Sequence, residues 1–155
     1  MRRLSGVLLA GAIFMLPAIS QNLGSANAQQ AAAPQKFTME GDLAIWSVAV
    51  KPDKTADYEA VLAAVKDALA KSERPDAKQQ AAGWKVIKLA QPANGNVVYT
   101  HIITPVPGAD YSPLQVIYEV VKDPAAQRAL YDKYRDAFAA NLGLSSGKVA
   151  ADFSK

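Results

Sequence analysis

The centre of the chain carries a strong turn signal that limits the arrangement of the segments around it. Asn94-Gly95 separates two stretches, 83–91 and 96–106, that are rich in β-branched and aromatic residues. Both residues of this pair tolerate the positive φ angles that a tight hairpin turn requires. The sequence therefore predicts an antiparallel hairpin, and the run from Val97 to Thr104 is among its clearest strands.

A strand and a helix are predicted before the hairpin. Leu43 to Val50 (LAIWSVAV) is apolar at successive positions, which is typical of a strand buried on both faces. Residues 55–71 then have apolar side chains spaced by three and four, the pattern of an amphipathic helix. They are Tyr58, Val61, Leu62, Val65 and Leu69. Residues 72–82 are polar and contain a proline, so they predict a connection.

Two helices and a last strand are predicted after the hairpin. Ser112-Pro113 and Asp123-Pro124 each join a capping residue to a proline, which is the usual composition of a helix start. The first helix is expected to run to about Val121 and the second to end at Gly143. Residues 143–147 (GLSSG) are predicted to form a loop, and 148–153 (KVAADF) the last strand.

The predicted element order is β-α-β-β-α(α)-β, which is the α+β, ferredoxin-like split βαβ arrangement. It implies one antiparallel sheet with helices on one face, strands one and three at the centre, and strands two and four at the edges. Strand two carries Lys85 and Lys88, and charged side chains are a common protection of an edge strand.

The N-terminus predicts export. Arg2 and Arg3 precede an apolar run of about ten residues, Val7 to Leu16, which is shorter than the roughly 20 residues of a membrane-spanning helix. Ala26-Asn27-Ala28 then has the small-residue pattern that a signal peptidase accepts. We expect residues 1–28 to be a cleaved signal peptide, 29–40 a flexible leader and 41–155 a single domain. The expected compartment is the periplasm or the extracellular space.

Charge and cysteine content restrict the partners and the chemistry. The net charge of +3 falls to +1 when Arg2 and Arg3 leave, so no nucleic-acid or anionic-membrane partner is expected of the mature chain. No later segment approaches transmembrane length, so no membrane anchor is expected after cleavage. The chain has no cysteine and one histidine, which makes a catalytic zinc or a Cys/His structural site improbable. We predict no metal and no cofactor.

Both central strands predict a homodimer. Strand one has apolar residues on both faces, with Ile45 and Ala49 on the face opposite Trp46. Helices in a split βαβ fold cover only one face of the sheet, and the polar leader is too short to cover the other. A large bare apolar face is unusual in a soluble monomer. Pairing with a second copy resolves this conflict by burying about 800 Å² on each subunit.

The strands LAIWSVAV and NVVYTHIITPV, in this order of elements, resemble the dimeric α/β-barrel superfamily over about residues 41–153. Members of that superfamily are small ferredoxin-like domains that pair through their sheets. They include cofactor-free monooxygenases and haem-degrading enzymes. The stretch GADYSPLQVIYE also looks like part of an uncharacterised family of bacterial exported proteins, a likeness that implies no activity.

Four residues are candidates for ligand binding. His101 is the only histidine and shares a predicted strand face with Tyr99, so the two side chains would be the polar groups of an apolar barrel cavity. The alternative is a histidine hydrogen-bonded in the core or at the dimer contact. Trp84 offers aromatic surface, and Tyr111 lies in a loop before a helix, where a pocket rim is expected.

Two classes of function remain open on the sequence. The first is an exported homodimeric binding protein that holds a small apolar ligand. The second is a cofactor-poor or haem-linked oxygenase-like enzyme that uses Tyr99 and His101. Gly143 to Gly147 matches the G-x-S-x-G hydrolase motif, but a strand is expected to follow it where a hydrolase needs a helix. No acid, base and nucleophile converge in the sequence, which favours the binding protein.

Overall fold

The structure is a computed structural model that describes residues 35–153. The predicted signal peptide, 1–28, and the first part of the predicted leader lie outside the described residues. The elements in chain order are β1 (Leu43–Val50), a 3-10 turn (Pro52–Lys54), α1 (Thr55–Lys71), α2 (Ala77–Gly83), β2 (Trp84–Lys88), β3 (Val97–Ile103), α3 (Pro113–Val120), α4 (Pro124–Ala137) and β4 (Phe138–Gly147).

The four strands form one antiparallel sheet in the order β2-β3-β1-β4. The two strands with apolar residues on both faces, β1 and β3, therefore lie at the centre, and β2 and β4 lie at the edges. The chain is α+β, and its sheet and helices are compatible with a ferredoxin-like fold.

The predicted hairpin is confirmed. Asn94 and Gly95 have φ angles of 50° and 76°, so both central residues of the turn are left-handed, as the tightest hairpin turns require. The N–H of Leu89 donates to the carbonyl of Val98 over 2.8 Å and extends the ladder towards the turn.

The register of β1 and β3 separates the two faces of the sheet. Trp46 lies opposite His101, and Val48 opposite Tyr99. These residues are buried in one cluster with Tyr58 of α1, which identifies the face that the helices cover. On the other face the Ile45 side chain, next to Trp46 in sequence, remains 42% exposed.

The predicted C-terminal region is wrong in two respects. Helix α4 ends at Ala137 rather than Gly143, and the last strand is Phe138–Gly147 rather than 148–153. Gly143, with a φ of 118°, follows an irregularity at which Leu142 is the extra residue of β4. A glycine within a strand commonly marks a β-bulge, and in sequence such a glycine resembles the glycine that ends a helix. The sequence GLSSG therefore forms part of β4 and is not a loop.

Residues 72–82 are also more ordered than the sequence predicts, because they contain most of helix α2. The segment AKQQAAG is rich in alanine and glutamine, which favour helices. The new helix begins at Ala77, two residues after Pro75. Ala77 and Gln80 are buried, so tertiary contacts stabilise this short helix.

The packed part of the chain begins within the segment predicted as a leader. The carbonyl of Phe37 accepts a hydrogen bond from the N–H of Tyr111, and the N–H of Phe37 donates to Asp110. The Phe37 ring packs edge-on against Trp46, and Met39 is 5% exposed. Residues 37–39 are thus held on the domain at the end of the sheet near the 105–111 loop.

Candidate functional site

The four candidate residues meet in one aromatic cluster under the helices. The indole of Trp84 contacts both His101, to which it is hydrogen-bonded, and Tyr111, whose ring centroid lies 5.3 Å away. Tyr99 joins the cluster through Tyr58, since the centroids of these two rings are 4.8 Å apart. The sheet register and the α1 helix therefore bring together side chains from four separate segments.

Two hydrogen bonds fix the state of His101. The Nε1–H of Trp84 donates to His101 Nδ1 over 2.9 Å, and Tyr58 Oη lies 2.9 Å from His101 Nε2. An indole nitrogen can only donate, so Nδ1 must be unprotonated. The neutral ring therefore carries its proton on Nε2 and donates it to the Tyr58 oxygen.

Burial reinforces this neutral state. His101 is fully buried, and desolvation lowers its pKa to about 4. The pKa of Tyr58 is raised above its ordinary value, chiefly by burial, so its hydroxyl also stays neutral. Both ring nitrogens of His101 are engaged, and in this arrangement neither can bind a metal or haem iron. The residue connects α1, β2 and β3 rather than facing a ligand.

Tyr99 belongs to a hydrogen-bonded cluster of three side chains at the end of the helix–sheet interface. Its hydroxyl donates to Glu59 Oε1 over 2.6 Å, and Lys88 Nζ donates to the same oxygen over 2.9 Å. These bonds lower the pKa of Glu59, that from Tyr99 having the larger effect. The pKa of Tyr99 is raised by burial and by the Glu59 carboxylate. A tyrosine held in this way keeps its proton at neutral pH and serves to anchor α1 to the hairpin.

Tyr111 is buried rather than placed at a rim. Its side chain is fully buried, and its hydroxyl oxygen accepts the N–H of Val106 over 2.9 Å. The pKa of Tyr111 is raised, and burial is the largest cause of this shift. The residue closes the 105–111 loop onto the aromatic cluster, and it does not line the groove described next.

Trp84 lines a cavity that the other three candidates do not line. A groove of about 320 Å³ lies between helix α1, helix α2 and the edge strand β2. Its lining is apolar apart from one lysine, and consists of Leu62, Val65, Lys66, Leu69, Ala81, Trp84 and Val86. We call this cavity the α1–β2 groove. Its size lies at the lower end of the range of about 300–1,000 Å³ for small-molecule sites.

The sequence did not single out three residues that organise this region: Tyr58, Glu59 and Gln80. Tyr58 was assigned to the apolar stripe of α1, where its hydroxyl was the one departure from an aliphatic pattern. Gln80 is fully buried; its Nε2 donates to the carbonyl of Asp110, and its Oε1 accepts from Arg74. The sequence signal for Gln80 is a polar residue within an alanine-rich helical segment, and this signal can be read only when α2 is predicted as a helix.

Residues 35–153 contain no group of three or more His, Cys, Asp or Glu side chains placed to hold a metal ion. Nor does this part of the chain include a helix long and apolar enough to cross a membrane. A scan of protein families, a search of curated proteins and a search of solved structures each found no match to this chain.

Proposed function

We propose that this protein is an exported, homodimeric binding protein of the dimeric α/β-barrel type, which holds a small apolar ligand in the α1–β2 groove. The observation that carries the proposal is the groove itself, where apolar side chains from three elements surround a volume of ligand size. The polar residues behind it are saturated by one another, as the bonds of His101 show. The site therefore has the means to bind, while the histidine and tyrosines behind it are held by one another and are not free to act as acid or base.

The position of Trp84 supports the groove as the ligand site. Its indole is only partly buried and lines the groove, while its Nε1–H is held by His101. The hydrogen bond fixes the ring in one orientation before any ligand arrives. A rigid aromatic wall lowers the entropy lost on binding, which is how preorganised sites gain affinity.

Two experiments test ligand binding. Native mass spectrometry of the protein purified from the periplasm of an expressing bacterium is expected to show a bound small apolar molecule. The fluorescent probe N-phenylnaphthylamine is expected to bind the purified protein and to lose affinity in Val86→Glu, which places a charge in the groove. Leu89→Glu is the matched control, since Leu89 is 42% exposed on the same hairpin and does not line the groove. Equal probe binding by both variants would contradict the proposal.

The face of the sheet opposite the helices supports self-association. Leu43 and Ile45 on β1 are 37% and 42% exposed, and Ile87 on β2 is 46% exposed. The first two also line a shallow groove of about 210 Å³ with Val149 beyond β4. Exposed apolar side chains gathered on one sheet face are typical of an interaction surface. A two-fold copy of the same face is the simplest complementary partner.

Strand β4 supports the same proposal from the edge of the sheet. It has ten residues, Phe138–Gly147, none of them charged and none a proline. Natural edge strands are usually protected by charges or prolines against pairing with another chain. Strand β2 at the other edge has Lys85 and Lys88, whereas β4 has no charge or proline and is interrupted only by the bulge at Leu142 and a second irregularity near its start. We therefore place the contact between copies on the β1–β4 side of the open face.

A further inference from the structure

We infer that the ligand of the α1–β2 groove is an amphiphile with an unbranched apolar chain and a carboxylate head, such as a medium-chain fatty acid. This inference rests on the proposed function and adds the chemical class of the ligand. It follows from the contrast between the apolar lining of the groove and the single cation that this lining contains.

Lys66 is the cation. It lies on α1 between Leu62 and Leu69, and it is the one charged residue of the groove lining. Two lysines near α1 are paired, Lys54 with Asp57 and Lys88 with Glu59. Among residues 35–153, Lys66 has no hydrogen bond or ion pair. Lys71 at the end of α1 has no ion pair within residues 35–153 either, but it does not line the groove. An unpaired ammonium at the margin of an apolar groove favours a ligand whose own charge is negative.

The edge strand offers a second donor. In the β2–β3 ladder the carbonyl of Gly83 accepts from the N–H of Thr104, and the N–H of Leu89 donates to the carbonyl of Val98. Hydrogen-bonded pairs alternate along an antiparallel ladder, so the backbone of Val86, opposite His101, points away from β3. Val86 also lines the groove. Its backbone N–H therefore lies at the open edge of β2, where it is available to a carboxylate oxygen.

The shape of the groove favours a chain over a compact ring system. Its lining follows α1 for two turns, from Leu62 to Leu69, and strand β2 from Trp84 to Val86. Each methylene group buried in such a groove is expected to increase affinity about fourfold, until the chain fills the groove. A series of carboxylates of increasing length should therefore show affinity that rises and then levels off.

The test uses three probes with a bromine at the end of the chain: 11-bromoundecanoate, 11-bromoundecanol and 11-bromoundecyltrimethylammonium. Bromine quenches indole fluorescence on contact, and Trp84 lines the groove while Trp46 is 5% exposed and does not. Quenching titrations therefore report occupancy of this site. The expected affinities fall in the order carboxylate, alcohol, ammonium.

Variants at Lys66 separate the charge from the groove. In Lys66→Met the preference for carboxylate over alcohol should fall by about two- to fivefold, the usual range for an exposed ion pair. In Lys66→Glu the ammonium probe should bind more tightly than the carboxylate. Lys78→Met is the matched control, because Lys78 is exposed on α2 and does not line the groove. It should retain the preference of the unchanged protein.

The outcomes distinguish the inference from the proposed function. If all three probes bind with equal affinity and the Lys66 variants make no difference, the carboxylate inference is overturned and the apolar binding site stands. If no probe quenches Trp84 at concentrations below its own aggregation limit, the proposed binding function is overturned as well. A melting temperature unchanged in Lys66→Met and Lys66→Glu establishes that both variants are folded.

Discussion

Trp84 Nε1 and His101 Nδ1 lie 2.9 Å apart, and this contact joins the one groove-lining candidate to the one histidine. The histidine holds the tryptophan in place, and its other nitrogen holds Tyr58 of α1. Three elements of the domain therefore meet at a single imidazole that is closed to solvent. The stability of this junction is open to direct measurement.

Replacing His101 should destabilise the protein, and the size of the loss should depend on whether the new side chain can form hydrogen bonds with Tyr58 and Trp84. Leucine at this position leaves the Tyr58 hydroxyl and the Trp84 indole without their partner. We expect His101→Leu to lower the free energy of unfolding by about 1–3 kcal/mol, the usual cost of orphaned buried polar groups. Glutamine can both donate and accept, so His101→Gln should lose less. Urea denaturation measures both values, and equal stability of His101→Leu and the unchanged protein would contradict the role assigned to this bond pair.

The pKa of His101 predicts a pH dependence of stability. Burial lowers this pKa to about 4 in the folded chain, against about 6.5 when the chain is unfolded. Between these values the unfolded state binds more protons, so stability rises with pH. The contribution is complete above about pH 6.5 and is lost as the pH falls to about 4; a shift of this size corresponds to about 3 kcal/mol. Unfolding free energies from pH 4 to 7 should therefore show a steeper slope for the unchanged protein than for His101→Gln. Curves of equal slope for the two proteins would contradict the assignment of this pH dependence to His101.

The sequence was sufficient for the strands and helices whose apolar pattern is strong. The apolar runs of β1 and β3, the Asn94-Gly95 turn and the apolar stripe of α1 each predict an element that the structure contains. The sequence was insufficient where tertiary contacts decide. Strand β4 is held by its pairing with β1 and by the bond from Trp46 Nε1 to Asn141 Oδ1, and neither is visible in local composition.

The same distinction holds for the candidate site. The strand register put Tyr99 and His101 on one face, as their spacing of two predicts. Their partners, Glu59 and Tyr58, come from a helix that lies about 40 residues earlier. A hydrogen bond between distant segments leaves no periodic signal, so the saturation of His101 was beyond what the sequence can indicate.

Gln80 should be as sensitive as His101, although it lies on the surface helix α2. It links Arg74 to the carbonyl of Asp110 through bonds of 2.6 and 2.7 Å. Gln80→Leu leaves that carbonyl without its partner in a buried position, and we expect a loss of about 1–3 kcal/mol in unfolding free energy. Gln79→Leu is the control at an exposed neighbouring position and should change stability by less than about 0.5 kcal/mol. Similar losses in both variants would mean that helix propensity, and not the buried bonds, sets the cost.

Export through the signal peptide predicts a defined mature N-terminus. Cleavage after Ala28 leaves Gln29 as the first residue, eight residues before Phe37, where packing on the domain begins. N-terminal sequencing of protein from a periplasmic extract is expected to begin at Gln29. Material from that compartment that still begins at Met1 would rule out the processing proposed here.

The open face of the sheet predicts a dimer that a single charge can dissociate. Ile45 is 42% exposed, and its side chain points away from the helix-covered face that contains Trp46. In the proposed dimer its remaining exposed surface is buried, so Ile45→Lys removes about 0.6–1.3 kcal/mol of apolar burial per subunit and adds a like-charge contact across the two-fold axis. The dissociation constant should therefore rise by about tenfold or more. Sedimentation equilibrium at micromolar concentration measures this change.

The structure also supplies a control variant for the dimer prediction and the outcomes that would contradict it. Tyr131, on α4, is 41% exposed, and Tyr131→Lys should leave the dimer intact. Ile45→Lys should keep the α1–β2 groove, which lies on the helix side of the sheet, so its N-phenylnaphthylamine binding should not change. A dimer that persists in Ile45→Lys would move the contact to the uncharged edge of β4. An unchanged protein that sediments as a monomer would mean that the open face is stable in water, and the two-fold contact would have to be abandoned.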